Sequence, residues 1–293
     1  MRRPWLLGLA ALAAACESGP APSPRYHLGE PYRAGGLWAY PREEFALDER
    51  GIAAIQPPRP GLTANGERRE DGMFAAHRTL QLPAIVTVTN LETGRSLRLR
   101  VNDRGPENPA RLIAVSPRAA LLLGAAGPFQ ARVVLDGPAS RAAIAGLPGQ
   151  AAALPIAAAP VEAVTRESLA PPEGARAAAP RAESARREAG SPSDAAPAER
   201  ALIPPPERLP ETVEQGAPAP GRIRLEAGRY FRRDLAEREA ARIPGARAEP
   251  LGPRGRQQQF VVRAGPYGSL AEADAAFARA VAAGLPELRL VVE

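Results

Sequence analysis

The chain has 293 residues, 38 of them basic and 32 acidic, for a formal charge of +6. Every basic residue is arginine, and arginine and glutamate are interleaved rather than clustered, which argues against a nucleic-acid surface. One cysteine excludes an intramolecular disulfide and a multi-cysteine metal site, no cofactor or metal is expected, and the 34 prolines with only 4% aromatics point to a part of the chain that is not core.

In chain order, "MRRPWLLGLAALAAACESG" places Arg2 and Arg3 before an apolar run from Trp5 to Ala15. That run is too short to span a bilayer as a stable helix, and residues 1–15 read as a signal peptide of lipoprotein type. Cys16 follows Ala13-Ala14-Ala15, which resembles the lipobox of bacterial lipoproteins, although Ala13 stands where Leu is usual and Leu12 lies one place further back. Ordinary signal cleavage near Ala15, with Cys16 incidental, is the alternative; a lone cysteine at that spot favours lipidation. Glu17, by analogy with lipoprotein sorting, directs the anchor to the outer membrane. The expected mature chain is monomeric, lipid-anchored and periplasmic, without a transmembrane helix.

Residues 16–60 form a lead-in punctuated by Pro and Gly, whose "LWAYPREEFALDERGIAAI" carries enough apolar residues to pack on a domain. Residues 61–140 are regular. "IVTVTN" alternates with Val86 and Val88 on one face, and "SLRLRV" puts Leu97, Leu99 and Val101 inward with Arg98 and Arg100 outward. "SPRAALLLG" is a short helix with Ser116 as N-cap, Pro117 at its first position and Gly124 after its end. "ARVVL" closes this region, and short strands with little helix suggest a small barrel.

Residues 141–221 turn into Ala, Pro, Arg and Glu without apolar periodicity. Such a stretch cannot bury enough apolar area to offset its ordering entropy, so it reads as a disordered linker. Residues 222–293 regain pattern: the strand "RIRLEAG", the helix "FRRDLAEREAARI" with Leu235, Ala236, Ala240 and Ile243 at helical spacing, a short strand near Ala246 to Pro250, and the strand "QQFVVRAG". The helix "SLAEADAAFARAVAAG", capped by Ser269 and ended by Gly284, and the strand "LRLVV" complete a βαββαβ unit with both helices on one face of a sheet. The fold class is therefore mainly β with an added α+β unit.

"VNDRGP" at 101–106 delivers Asn, Asp and Arg into a Gly-Pro corner. A turn uses these residues for backbone reasons, and a catalytic acid also sits well where a rigid strand ends. "LTANGE", "FAAHRTLQLP", "VTVTNLETGRSLRLRVNDRGP" and "RLIAVSPRAALLLG", taken together over Gly61 to about Ser140, resemble the rare lipoprotein A family. These are septal lytic transglycosylases built on a double-psi β-barrel. "PYRAGGLWAYPREE" is similar to the family's lead-in. Residues 222–293, through "EAGRY" and "VVRAGPYGS", resemble a SPOR domain.

The resemblance implies cleavage of peptidoglycan glycan strands between N-acetylmuramic acid and N-acetylglucosamine, with formation of a 1,6-anhydro end. An acid must protonate the leaving oxygen; the sugar's own C6 hydroxyl then attacks, and the same carboxylate recovers a proton. Asp103 matches the acid/base, against a turn aspartate that caps local amides. Glu67 matches a second carboxylate, against a solvated loop glutamate. His77 matches a cleft hydrogen-bond donor, against a buried structural histidine. Arg104 is open between holding a carboxylate and being exposed. In the tail, the resemblance assigns glycan binding to Glu226, which stands where the family often has Gln, and to Tyr230 and Tyr267, the tyrosines against ordinary core or rim packing.

The chain also departs from the family. "AAIQPP" replaces "SWYG", so Ala54, Ile55 and Gln56 stand where an aromatic sugar platform is expected. "IAVS" replaces "IDLS", so Ala114 stands in place of an Asp. These departures keep a second reading in view, a non-catalytic peptidoglycan-binding lipoprotein of the outer membrane. An expansin-like secreted barrel is disfavoured by the lipobox and the tail.

Overall fold

A computed structural model describes residues 20–57, 59–69, 72–149, 208–252 and 258–293. The signal segment with Cys16, and the linker between 150 and 207, lie outside the described residues. The lead-in runs as a strap and then turns through a small hairpin, β1 (Tyr32–Ala34) and β2 (Leu37–Ala39).

Six strands close a barrel: β3 (Asp48–Ile55), β4 (Phe74–Ala76), β5 (Ala84–Asn90), β6 (Arg95–Asp103), β7 (Ile113–Val115) and β8 (Phe129–Leu135). Going round, the order is β3-β7-β4-β6-β5-β8, and β8 pairs back to β3. The β3–β7 and β4–β6 pairs are parallel and the others antiparallel. Alternation explains the interior: Val86, Val88, Leu97, Leu99, Val101, Phe129, Ala131 and Val133 point inward and are buried together. Helix α1 (Pro117–Leu122) starts on the Ser116 cap, whose hydroxyl accepts from the Ala119 N–H at 3.2 Å. Helix α2 (Gly137–Ile144) packs on β5 through Ser140, which is fully buried.

The barrel begins earlier than the sequence pattern suggests. β3 lies wholly ahead of Gly61, inside the expected lead-in. Its second half, "GIAAI", is small and apolar without alternation, because those residues are flanked by strands on both sides. The expected linker is also shorter at both ends. α2 runs to Ile144, and the chain is back on the barrel by Glu211, where Arg118 forms an ion pair with it. Strand β9 (Val213–Gln215) then adds to β6 opposite Arg95–Leu97. Three residues with one half-buried valine leave no periodicity to read.

The tail is the expected βαββαβ unit: β10 (Ile223–Tyr230), α3 (Arg233–Ala240), β11 (Arg247–Leu251), β12 (Gln259–Tyr267), α4 (Leu270–Ala282) and β13 (Leu288–Val292). The sheet order is β11-β12-β10-β13. Ala236, Ala240, Ile243, Ala273, Ala276 and Phe277 pack the helices onto Leu225, Val262 and Leu290. Leu235, expected on that face, is exposed instead, one residue out of register with Ala236 and Ala240. Ser269 caps α4 by accepting from the Glu272 N–H at 3.2 Å.

Barrel and tail touch directly. Val291 on β13 bridges Gly51 on β3, and a β-carbon at Gly51 would stand 3.0 Å from both the Leu290 oxygen and Leu112 Cβ. A side chain there would need these neighbours to give by a few tenths of an ångström, so glycine suits this close approach. Arg111 reaches Asp274 on α4 with both arms, at 2.6 and 2.7 Å, and Arg289 meets Glu49 at 3.3 Å.

Ser140 supplies the sharpest stability test. Its hydroxyl accepts from the Ile85 N–H at 2.9 Å in a fully buried position. The Ile85 carbonyl keeps a second donor, the Asp136 N–H, so Ser140→Ala orphans the N–H alone. Equilibrium denaturation should show a loss of about 1–3 kcal/mol, the cost of an unsatisfied buried donor. An unchanged midpoint would mean that this bond contributes nothing.

Candidate active site at the Asp103 turn

The three residues singled out in the barrel fall in one hydrogen-bonded cluster. Asp103 ends β6, His77 follows β4, and Glu67 closes the "TANGE" loop. The parallel pairing of β4 with β6 sets the first two side by side, and the His77 N–H donates to the Asp103 carbonyl at 3.1 Å. The loop is bound to β6 by the Asn65 N–H on the Asn102 carbonyl at 3.4 Å.

Glu67 is buried. Arg100 donates to its Oε1 through Nε at 3.0 Å and Nη2 at 2.8 Å, Asn65 Nδ2 donates to Oε1 at 2.7 Å, and Asn102 Nδ2 donates to Oε2 at 2.8 Å. Arg100, expected to face outward by alternation, is itself 9% exposed because this carboxylate draws it in. Thr63 tightens the loop further, donating to Asn65 Oδ1 at 2.7 Å and accepting from the Glu67 N–H at 3.1 Å. A solvated loop glutamate is thus not what the structure holds.

Asp103 has its two oxygens in different surroundings. Oδ1 accepts from two backbone N–H groups, Ala64 at 3.0 Å and Arg104 at 2.9 Å. Among the described residues, Oδ2 accepts only from Arg69, through Nε at 3.1 Å and Nη2 at 2.6 Å. Arg69 belongs to the basic doublet of "GERRE", and the sequence signal for it is its place directly after the "TANGE" loop.

His77 is buried, and its Nδ1 accepts from the Thr79 and Leu80 N–H groups at 3.2 and 3.1 Å. With Nδ1 accepting, a neutral ring carries its proton on Nε2 and can donate from there. Burial, reinforced by the charges of Arg78, Arg104 and Arg42, lowers its pKa from 6.5 to about 3. Arg104 turns out to hold backbone carbonyls rather than a carboxylate. It donates to the carbonyls of His77 (3.3 Å), Leu80 and Leu28, tying the lead-in strap to the turn. That strap also crosses the loop: the Ser23 N–H bonds Gly66 O at 2.9 Å and the Arg25 N–H bonds Asn65 O at 2.8 Å. Gly66 has φ 83°, and a β-carbon there would strike the Ser23 oxygen at 2.2 Å.

Two buried acceptors in this region, Gln56 Oε1 and Asn102 Oδ1, have no donor. Gln56 Oε1 lies 4.0 Å from where a β-carbon on Gly105 would be, beside the Asp103 turn. Ala114 is buried on β7, paired with Ala54 and Ala76, and brings no polar group to this wall. The exposed aromatics stand elsewhere: Trp38 and Tyr40, in and just after the lead-in hairpin, have ring centroids 6.3 Å apart, and Phe231 follows β10 in the tail. Among the described residues no group of three or more His, Cys, Asp or Glu could hold a metal ion.

The tail residues are differently placed. Glu226 is buried in the sheet, with Arg263 at 2.7 Å and Arg289 at 2.7 Å on its two oxygens. Burial alone would push its pKa up, but Arg289 and Arg263 together outweigh it and the net shift is downward. Tyr230 and Tyr267 are half-buried against the tail's core, and burial raises both phenols. Glu226, Arg263 and Arg289 line one side of a cleft of about 520 Å³, with Arg78, Arg111 and Glu49 of the barrel on the other.

The low pKa of His77 sets an acid-stability window. The folded state excludes a proton that the unfolded state binds below pH 6.5, so stability is fully present above 6.5 and falls as pH drops towards about 3. The slope for one proton is about 1.4 kcal/mol per pH unit. Between pH 6.5 and 5, where few carboxylates titrate, His77→Gln should flatten the pH dependence of the unfolding free energy. A variant with the wild-type slope would show that His77 takes up its proton in the fold.

Comparison with known proteins agrees with this architecture. Residues 48–134 match the family model described as "Lytic transglycolase", and residues 219–288 match the SPOR domain. The endolytic peptidoglycan transglycosylase RlpA of Pseudomonas aeruginosa (strain UCBPP-PA14) is 36% identical over 217 residues, covering 72% of this chain and 60% of the relative. The RlpA of Rickettsia felis is 38% identical over 104 residues, 33% of this chain and 46% of that one. The RlpA of Escherichia coli (strain K12) is 36% identical over 104 residues, 34% and 29% respectively. The chain thus spans 60% of the Pseudomonas relative's length and less than half of the other two. A closed six-stranded barrel followed by a SPOR tail, with these relatives, places the chain in the rare lipoprotein A family.

Proposed function

We propose that the protein is a lytic transglycosylase of peptidoglycan glycan strands, acting on peptide-stripped strands at the division septum. The observation that carries this reading is Asp103. It is a carboxylate at the end of a rigid strand, held on one oxygen by two fixed backbone donors, within the segment that matches the lytic transglycolase model. In the proposed reaction protonated Asp103 gives its proton to the glycosidic oxygen as the bond from muramic C1 breaks. The C6 hydroxyl of the same sugar forms the new bond to C1, and its proton returns to Asp103. No water is consumed. His77, neutral and protonated on Nε2, is the donor along the cleft, and Glu67 acts indirectly by fixing the loop that carries the Ala64 N–H. The SPOR tail holds the same polymer, with Tyr230 and Tyr267 at its rim and Glu226 ordering the arginines of its sheet.

A binding-only barrel is the second reading. It is favoured by the absence of a polar group at Ala114 and by the engagement of both Asp103 oxygens in the free protein. Asp103→Asn separates the two. The amide is nearly isosteric and keeps an acceptor for the Ala64 and Arg104 N–H groups, but it cannot donate and recover a proton. On peptide-stripped strands the variant should stay folded by circular dichroism and lose at least about 100-fold in 1,6-anhydro product, the scale of general acid–base catalysis. A folded variant with near wild-type yield would remove Asp103 from the chemistry. A wild-type protein with no yield would select the binding-only reading.

The anchor belongs to the same proposal. Cys16, lipidated, holds the mature chain on the periplasmic side of the outer membrane, so Cys16→Ser should move the protein from the membrane fraction to the soluble one. Equal recovery in the pellet would overturn the anchor.

A further inference from the structure

Arg69 poses a chemical problem for the acid. Its guanidinium gives two N–H donors to Asp103 Oδ2, which has no other partner among the described residues, while Oδ1 is committed to Ala64 and Arg104. An oxygen that accepts from both Nε and Nη2 has no proton to give. The side chains are unequally covered: Arg69 is 21% exposed and Asp103 4%, so Arg69 lies on the solvent side of the carboxylate. The Arg69 backbone is fixed, with its N–H on Gly61 O at 3.0 Å and the neighbouring Arg68 bridged to Leu62, so release requires only side-chain rotation.

The geometry points to Arg69 as the residue that recognises a carboxylate on the substrate and, in doing so, uncovers the acid. This rests on the proposed glycan-cleaving function. Once its peptide stem is gone, the muramic sugar carries a free lactyl carboxylate on C3 of the ring whose C1 bears the scissile bond. An arginine beside the acid is therefore within reach of that carboxylate, and a planar fork matches a carboxylate with either partner. The guanidinium stays paired throughout the exchange, and its cost is the desolvated Asp103 left without a cation, which is relieved once that carboxyl is protonated. Oδ2 alone is freed and takes a proton from solvent, while Oδ1 stays on its two backbone donors. The proton is then given from Oδ2 to the glycosidic oxygen, the C1–O bond breaks, and the C6 hydroxyl proton returns to Oδ2 as the anhydro bond forms. A strand whose lactyl carboxyl is amide-linked to a peptide offers no anion, leaves Arg69 on Asp103 and stays uncut. Arg69 is in this way a specificity residue for stripped glycan, acting at the barrel itself.

The test compares two forms of one polymer: peptide-stripped glycan with free lactyl carboxyls, and the same strands with those carboxyls converted to methylamides. The full mature chain should prefer the free-carboxyl form by roughly 10- to 100-fold in kcat/KM, the range of charge-assisted hydrogen bonds. Arg69→Gln should bring the ratio close to one and cut the methylamide strands faster than wild type does, since nothing covers Oδ2. Arg69→Lys, which keeps the charge without the fork, should show an intermediate ratio, and it decides the matter if Arg69→Gln does not fold. A wild type indifferent to the carboxyl, or an Arg69 variant that keeps the full wild-type preference, overturns the proposal. If wild type cuts neither polymer, the transglycosylase reading fails instead. The ratio of dissociation constants for the two polymers, wild type against Arg69→Gln, then decides recognition alone, because the SPOR contribution is common to both proteins.

Discussion

The buried ion pair of Glu67 with Arg100 is the constraint on which the candidate site depends. Both groups are almost fully removed from water, and burying a charge is tolerable only if it is paired and fully hydrogen-bonded. Here Asn65 and Asn102 complete the pairing with Arg100, so one carboxylate fastens three positions of "TANGE" and "RVND" to each other. The consequence is positional. With Glu67 fixed, the loop between Thr63 and Glu67 has one conformation, and that conformation aims the Ala64 N–H at Asp103 Oδ1. Removing one partner would leave an unpaired buried charge, at a cost of about 3–5 kcal/mol.

Two carboxylates at close quarters are thereby divided by environment. Glu67 has its lone pairs consumed on every side and nothing left to exchange with a ligand. Asp103 has one oxygen fixed and one held by a single, partly exposed side chain. Only the second arrangement leaves a route for proton traffic. His77 fits the same logic from the other direction: surrounded by arginines and buried, it stays neutral and offers an N–H rather than a charge. A cationic imidazole there would face Arg78 and Arg104 without a counter-ion. The neighbourhood of the turn thus combines a neutral imidazole, a carboxylate engaged on both oxygens, and two buried amide oxygens, those of Gln56 and Asn102, without a donor among the described residues.

Much of this was legible in the sequence wherever local rules carry it. The alternation of β5 and β6, the Ser116 and Ser269 caps, the glycines after α1 and α4, and the βαββαβ order of the tail all follow from period and cap chemistry. What was not legible came from tertiary pairing. β3 is half charged and half small because it is flanked on both sides, and β9 is too short for any period. Arg100 follows the outward half of an alternating strand yet is drawn in by a glutamate 33 positions earlier. Glu226 reads as a surface contact and is buried by two arginines from neighbouring strands. Arg104 and Arg69 stand in a chain where every cation is arginine, so their type alone carries no signal. Their roles appear only when the carbonyls of residues 28, 77 and 80, and the Oδ2 of Asp103, are brought to them.

The contact between barrel and tail changes what the proline-rich stretch has to do. A sequence of this composition suggests a tether that sets the distance between two independent bodies. In the fold the tail sheet joins the barrel at Gly51 and Val291 and is fastened by Arg111 on Asp274. The chain leaves the barrel after α2 and is back on it at β9, before the tail begins. The intervening segment therefore closes a loop on the barrel itself. The barrel and the tail sheet meet at the pairing of β3 with β13. A polymer held by both would meet them at a fixed separation along its strand, with the arginine-lined cleft of Arg78, Arg111, Arg263 and Arg289 in between.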